Sequence, residues 1–144
     1  MSNRILSYKG KLVNGGQATI LLSTRKGETG YRIRKFQAMG TSEDENYEAT
    51  IKLYSTFQST VDISVDFSDT SLLGAILYGD QNSPATAAVQ TIVFDQVIFN
   101  QDIYVTFDAA SASADMNYYL ELEMINLTED QAMVATLSDI RTNS

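Results

Sequence analysis

Over several stretches of this chain apolar and polar residues alternate one for one, a period that suits extended strands and does not suit helices. Val61, Ile63, Val65 and Phe67 alternate with Asp62, Ser64 and Asp66. In residues 48–54, Ala49, Ile51 and Leu53 fall on one face, and Glu48, Thr50 and Lys52 on the other. Tyr118, Leu120, Leu122 and Met124 alternate with Tyr119, Glu121 and Glu123, while Ile103, Val105 and Phe107 share a face of residues 101–107. Each pattern predicts a strand with one face on a core and one face wet. Residues 5–13, 18–23, 31–39 and 91–99 predict further strands. In 31–39 the apolar parity shifts between Ile33 and Phe36, which predicts a bulge.

Turn residues separate these runs: Asn14-Gly15-Gly16, Lys26-Gly27, the polar stretch 40–46, and 79–84. Asn14 and Gly15 predict a hairpin turn, because both residue types tolerate positive φ. Residues 68–77 offer Ser68 as a cap and then apolar positions without alternation, predicting one or two helical turns. Near the C-terminus Thr128 and Gln131 make a capping box, and Glu129 and Asp130 suit a helix N-terminus. Met133, Leu137 and Ile140 would share a face of that helix, so a helix over 129–140 competes with a β-hairpin through the same residues. Short strands punctuated in this way predict an all-β, antiparallel, jelly-roll-like sandwich carrying one or two short helices, in a single domain over 1–144.

Charge is segregated along the chain. Residues 1–52 hold nine cations against five acids, whereas 53–144 hold Arg141 alone against thirteen acids, giving −8 overall. Such a chain offers a basic surface to one partner and an acidic surface to another. It has no histidine and no cysteine, which closes the Ser-His-Asp and Cys-His routes and excludes zinc or iron–sulfur sites built on those ligands. Ser7 and Lys9 could form a Ser–Lys dyad only in the sense that many surface pairs could. Asp62, Asp66, Glu121 and Glu123 occupy polar strand faces and suit solvent better than a glycosidase pair. Asp66, Asp69 and the run Glu43-Asp44-Glu45 supply oxygen ligands for calcium, without the spacing of a dedicated loop. The expectation is therefore no enzyme, no cofactor and no metal. The longest apolar run, residues 72–78, falls far short of the ~20 residues that span a bilayer, so no membrane partner is expected. A pI near 4.3 opposes nucleic-acid binding.

The candidate partner-binding residues are the cations Arg25, Lys26, Arg32, Arg34 and Lys35. They either pair with the acidic later strands inside one subunit or reach carboxylates on a neighbour, where arginine's planar fork favours bidentate pairing. Tyr104 and Tyr119, together with Tyr54 and Tyr78, fall at outward or loop positions and are candidates for interface anchors or a sugar platform. Most phenylalanines fall inward.

Four stretches carry a resemblance: Gly30-Tyr-Arg-Ile-Arg-Lys-Phe-Gln37, Val65-Asp-Phe-Ser-Asp-Thr-Ser-Leu-Leu73, Val93-Phe-Asp-Gln-Val-Ile-Phe-Asn-Gln-Asp-Ile-Tyr-Val105, and Asn117-Tyr-Tyr-Leu-Glu-Leu-Glu123 with Ala135-Thr-Leu-Ser-Asp-Ile-Arg141. From about residue 28 onward the chain resembles small virion structural proteins of tailed phages of marine bacteria, a family that supplies no functional residues to carry over. The resemblance implies a β-rich protein present in many copies on a phage particle. Residues 1–27 lie outside it and are expected to be a docking segment. The expected function is a capsid decoration or cement protein, made in the host cytoplasm and placed on the capsid exterior. Its expected partners are the major capsid protein lattice and copies of itself, a trimer being favoured. A tail, baseplate or fibre component and a carbohydrate-binding module are the alternatives.

Overall fold

The computed structural model describes residues 4–22, 29–41, 48–79, 89–110 and 115–126, and every regular element among them is a strand. They are β1 (Arg4–Leu12), β2 (Gln17–Ile20), β3 (Thr29–Gly40), β4 (Glu48–Tyr54), β5 (Leu72–Gly79), β6 (Val89–Phe94), β7 (Ile103–Ala109) and β8 (Met116–Asn126). All pair antiparallel, in two sheets ordered β1-β8-β3 and β2-β7-β4-β5-β6. The nesting is that of a jelly roll: first strand with last, second with seventh, fourth with fifth. β3 and β6 complete the scheme at the open edge. There the Gln90 amide donates to the Ala38 carbonyl at 2.8 Å and accepts from the Ala38 N–H at 3.4 Å, holding one sheet to the other.

The period-two apolar residues meet between the sheets. Ile33, Phe36, Leu120 and Leu122 of the smaller sheet face Ile51, Leu53, Ile76, Ile103, Val105 and Phe107 of the larger, and all are buried. The expected bulge is present, with the β3–β8 register shifting between Ile33 and Lys35. It resolves the parity conflict: Phe36 turns into the core, while Arg34 and Lys35 both stay outside. One extra residue thereby concentrates cations on one face.

Asn14-Gly15 does turn the chain, with Gly15 at φ 79°, yet it does not make a hairpin. β1 pairs with β8 and β2 with β7, so the turn carries the chain from one sheet to the other. The Asn14 side chain accepts from the Ala109 N–H at 2.9 Å, and the Gly15 N–H donates to the Phe107 carbonyl at 2.9 Å, which fixes the crossing on β7. Gly15→Ala meets no steric contact but imposes a left-handed backbone on an L-residue, and should cost about 1 kcal/mol. Urea unfolding measures this; an unchanged midpoint would show that the turn has another conformation open to it.

Two expectations are corrected. Residues 61–67 are not a strand. With no ladder partner, their backbone is served by side chains: the N–H groups of Ser64, Ser68 and Ser71 donate to the carboxylates of Asp62, Asp66 and Asp69, each two residues earlier. These are Asx turns, and they compete with sheet pairing. Ile63 and Phe67 are exposed as a result. Residues 72–77 are not helical either. They open β5, whose first five residues are buried whichever face they point to, and a strand covered on both sides shows an unbroken apolar run. The 129–140 segment lies outside the described residues.

Candidate functional site

The loop 55–71 lies across the outer face of the larger sheet and buries residues that alternation would leave wet. Thr50 Oγ1 donates to the Ile63 carbonyl at 2.8 Å. Lys52, with a side chain only 3% exposed, donates to Asp62 Oδ1 at 2.7 Å and to the Ser64 carbonyl at 2.6 Å, with its Nζ 5.5 Å from the Tyr54 ring centroid. The loop is also tied to β2, where the Gln17 amide exchanges two 2.9 Å hydrogen bonds with the Gln58 backbone. Tyr54 and Tyr78 are consequently buried, against the expectation of outward positions: Tyr54 lies beneath the Lys52 ammonium, and Tyr78 sits at an inward register position opposite Ala49.

Charge divides by layer. Of the seven described cations, six (Arg4, Lys9, Lys11, Arg32, Arg34 and Lys35) belong to β1 and β3 of the smaller sheet; the seventh is the buried Lys52. Its two acids, Glu121 and Glu123, lie on the central strand β8, opposite the β3 cations: Arg32 faces Glu123 and Lys35 faces Glu121. Arg32 forms a close ion pair with Glu123, and Arg34 reaches the same oxygen at 3.9 Å. The next two rows contain no carboxylate. They run Lys9–Tyr119–Gln37 and Lys11–Asn117–Met39 across the three strands, and they line a groove of about 630 Å³. Lys11 has Asp115 as a loose neighbour at 3.7 Å.

On the opposite side, the larger sheet and its loop carry Asp62, Asp66, Asp69 and Asp95. Phe67, Asp69, Val93 and Asp95 line a second groove of about 510 Å³. Hydrogen bonds from Ser68 hold the Asp66 carboxyl below its ordinary range, so it stays charged.

Among the expected contact residues, the structure brings Arg32, Arg34 and Lys35 onto one face together with Tyr119, whose hydroxyl donates to Glu121 Oε2 at 2.8 Å. That hydrogen bond raises the tyrosine pKa. Tyr104 lies on the other sheet, half-buried, its ring edge-on to Phe57 at 5.9 Å. Arg25 and Lys26 lie outside the described residues, as does the Glu43-Asp44-Glu45 run. Lys9 and Lys11 were missed as contact residues, although the outward parity of Ser7, Lys9 and Lys11 was visible in the sequence. Among the described residues no three acids converge as a metal site would require, and Asp66 and Asp69 each hold a serine of their own turn.

No family model and no curated protein matches the chain. Among solved structures, it is similar to the Yersinia pseudotuberculosis-derived mitogen at 15% identity, covering 89% of this chain and 92% of that one, with a TM-score of 0.32. It is also similar to a chain of maize chlorotic mottle virus at 8% identity, covering 89% and 93%, with a TM-score of 0.30. At these scores neither likeness carries an argument about function.

Proposed function

We propose that the protein is a structural component of a phage particle, a decoration or cement protein that docks through the outer face of its β1-β8-β3 sheet onto an acidic neighbour. The observation that carries this reading is the division of charge by layer. A sandwich with a basic face on one side and an acidic face on the other is equipped for orientation-specific docking. The resemblance of residues 28–144 to phage virion proteins supplies the context. Capsid lattices offer threefold positions, which favours a trimer on symmetry grounds.

The protein should co-sediment with purified shells of the phage that encodes it and come off as salt rises, since exposed charges are screened beyond about 8 Å at physiological ionic strength. Absence of binding at low salt would end this reading. Binding to isolated tails in place of shells would move the protein to the tail. A saccharide-binding reading is favoured by one feature, the Lys9–Tyr119–Gln37 row along its groove; glycan binding lost on Tyr119→Ala would select it.

A further inference from the structure

The two charged faces also lie on opposite sides of one molecule, and this restricts how two copies can meet. Setting the basic face of one copy on the basic face of another brings together two surfaces that each hold six cations against Glu121 and Glu123. Pairing two acidic faces opposes Asp66, Asp69 and Asp95 in the same way. Like charges across an interface are strongly unfavourable, which disfavours both twofold arrangements. A head-to-tail arrangement sets the two unlike faces against each other.

We infer that copies of this chain associate head to tail, with the Lys9–Lys11 end of the β1-β8-β3 sheet seated on the Phe67–Asp69–Val93–Asp95 groove of the next copy. This rests on the docking face proposed above and names the acidic neighbour as a second copy. Both surfaces have an apolar anchor beside their charges: Met39, 69% exposed in the Lys11 row, and Phe67, 72% exposed at the rim of the acidic groove. An apolar contact ringed by complementary charges is the usual composition of a protein interface. Lys9 faces no carboxylate in its own row, and Lys11 gives up one loose contact, to Asp115 at 3.7 Å, in reaching a neighbour. A head-to-tail contact closes into a ring or continues as a filament, according to its rotation.

Sedimentation equilibrium of the purified chain, without shells, tests this. At low salt the wild type should exceed the 15.9 kDa monomer mass in a concentration-dependent way, and return to it at high salt. Two variants that neutralise charge at nearly constant shape complete the test. Lys9→Gln/Lys11→Gln/Lys35→Gln removes the head. Asp69→Asn/Asp95→Asn removes the tail, and the amide oxygen introduced by Asp69→Asn still accepts from Ser71. Each variant alone should be monomeric, and at high salt, where the wild type is monomeric too, should melt as the wild type does. Mixed one to one they should pair, each supplying the surface that the other lacks, and stop at twice the monomer mass. A monomeric wild type, self-association that survives either variant, or a mixture that fails to pair overturns the inference. Shell binding by a chain that never self-associates would leave the decoration reading standing, and self-association without shell binding would do the reverse.

Discussion

Phe107→Ala should lower the free energy of unfolding by about 4 kcal/mol, as expected for a large side chain deleted from a closed core. Phe107 is fully buried on β7, opposite Ile51 of β4, and its backbone receives the Asn14-Gly15 crossing from β1. The cavity left by the ring opens between the two sheets, where neither can move in without breaking pairing. For a chain of this size each kcal/mol moves Tm by about 2–4 °C, so a fall of roughly 8–16 °C is expected. Phe67→Ala is the control. Its ring is mostly in solvent and its removal should change stability by less than about 0.5 kcal/mol. If the two variants melt alike, the core has been placed wrongly.

Asp62→Ala should cost about 2–3 kcal/mol, whereas Lys52→Met should cost distinctly less. The asymmetry follows from exposure: Lys52 is 3% exposed and Asp62 57%. Removing the carboxylate strands a buried ammonium with the Ser64 carbonyl and the Tyr54 ring as its remaining support. Removing the ammonium returns a surface carboxylate to water and keeps the apolar stem. The expected cost is set below the ~3–5 kcal/mol of a fully buried pair because half of this one is already hydrated. Burial pulls the Lys52 pKa down, but hydrogen bonds and charge from Asp62 and Tyr54 outweigh it and leave the pKa above the ordinary 10.5. The hydrogen bond from Lys52 holds Asp62 below its ordinary 3.8. A raised lysine pKa gives stability that is complete below 10.5 and lost as pH climbs through the folded value. A lowered aspartate pKa gives stability that is present above 3.8 and lost as pH falls through the folded value. The difference in urea midpoint between wild type and Lys52→Met should therefore be flat between those limits and shrink beyond both. Equal losses from the two single variants would refute the anchoring role.

The strands that were legible in the sequence have one dry and one wet face. Residues 48–54 coincide with β4, and the parity shift at Ile33 announced the bulge that faces Arg34 and Lys35 outward. What alternation cannot report is whether a strand has a partner. Residues 61–67 carry the pattern, yet the aspartates that form its polar half also satisfy the local backbone and dissolve the strand. Nor can alternation report a cover laid on the polar face, so Lys52 and Thr50 look wet in the sequence and are dry in the fold. β5 was lost for the same reason, its apolar run being equally consistent with a buried helix. The candidate site was half legible. Arg32, Arg34 and Lys35 stood out as a run, but their carboxylate partners on β8 lie some ninety residues further on, and only the register brings Glu123 to Arg32.

The position of β8 has a consequence for synthesis. It is the middle strand of the smaller sheet, and among the described residues β1 and β3 pair through it alone, apart from the isolated Tyr31–Phe99 bridge of β3. On a ribosome the β4–β5 hairpin can close early, but β8 joins β1 and β3 into one sheet only when residues 116–126 emerge. Pairings this distant along the chain form late and slowly. A product that ended before residue 116 would therefore leave β1 without β8, and its cations without the sheet that groups them.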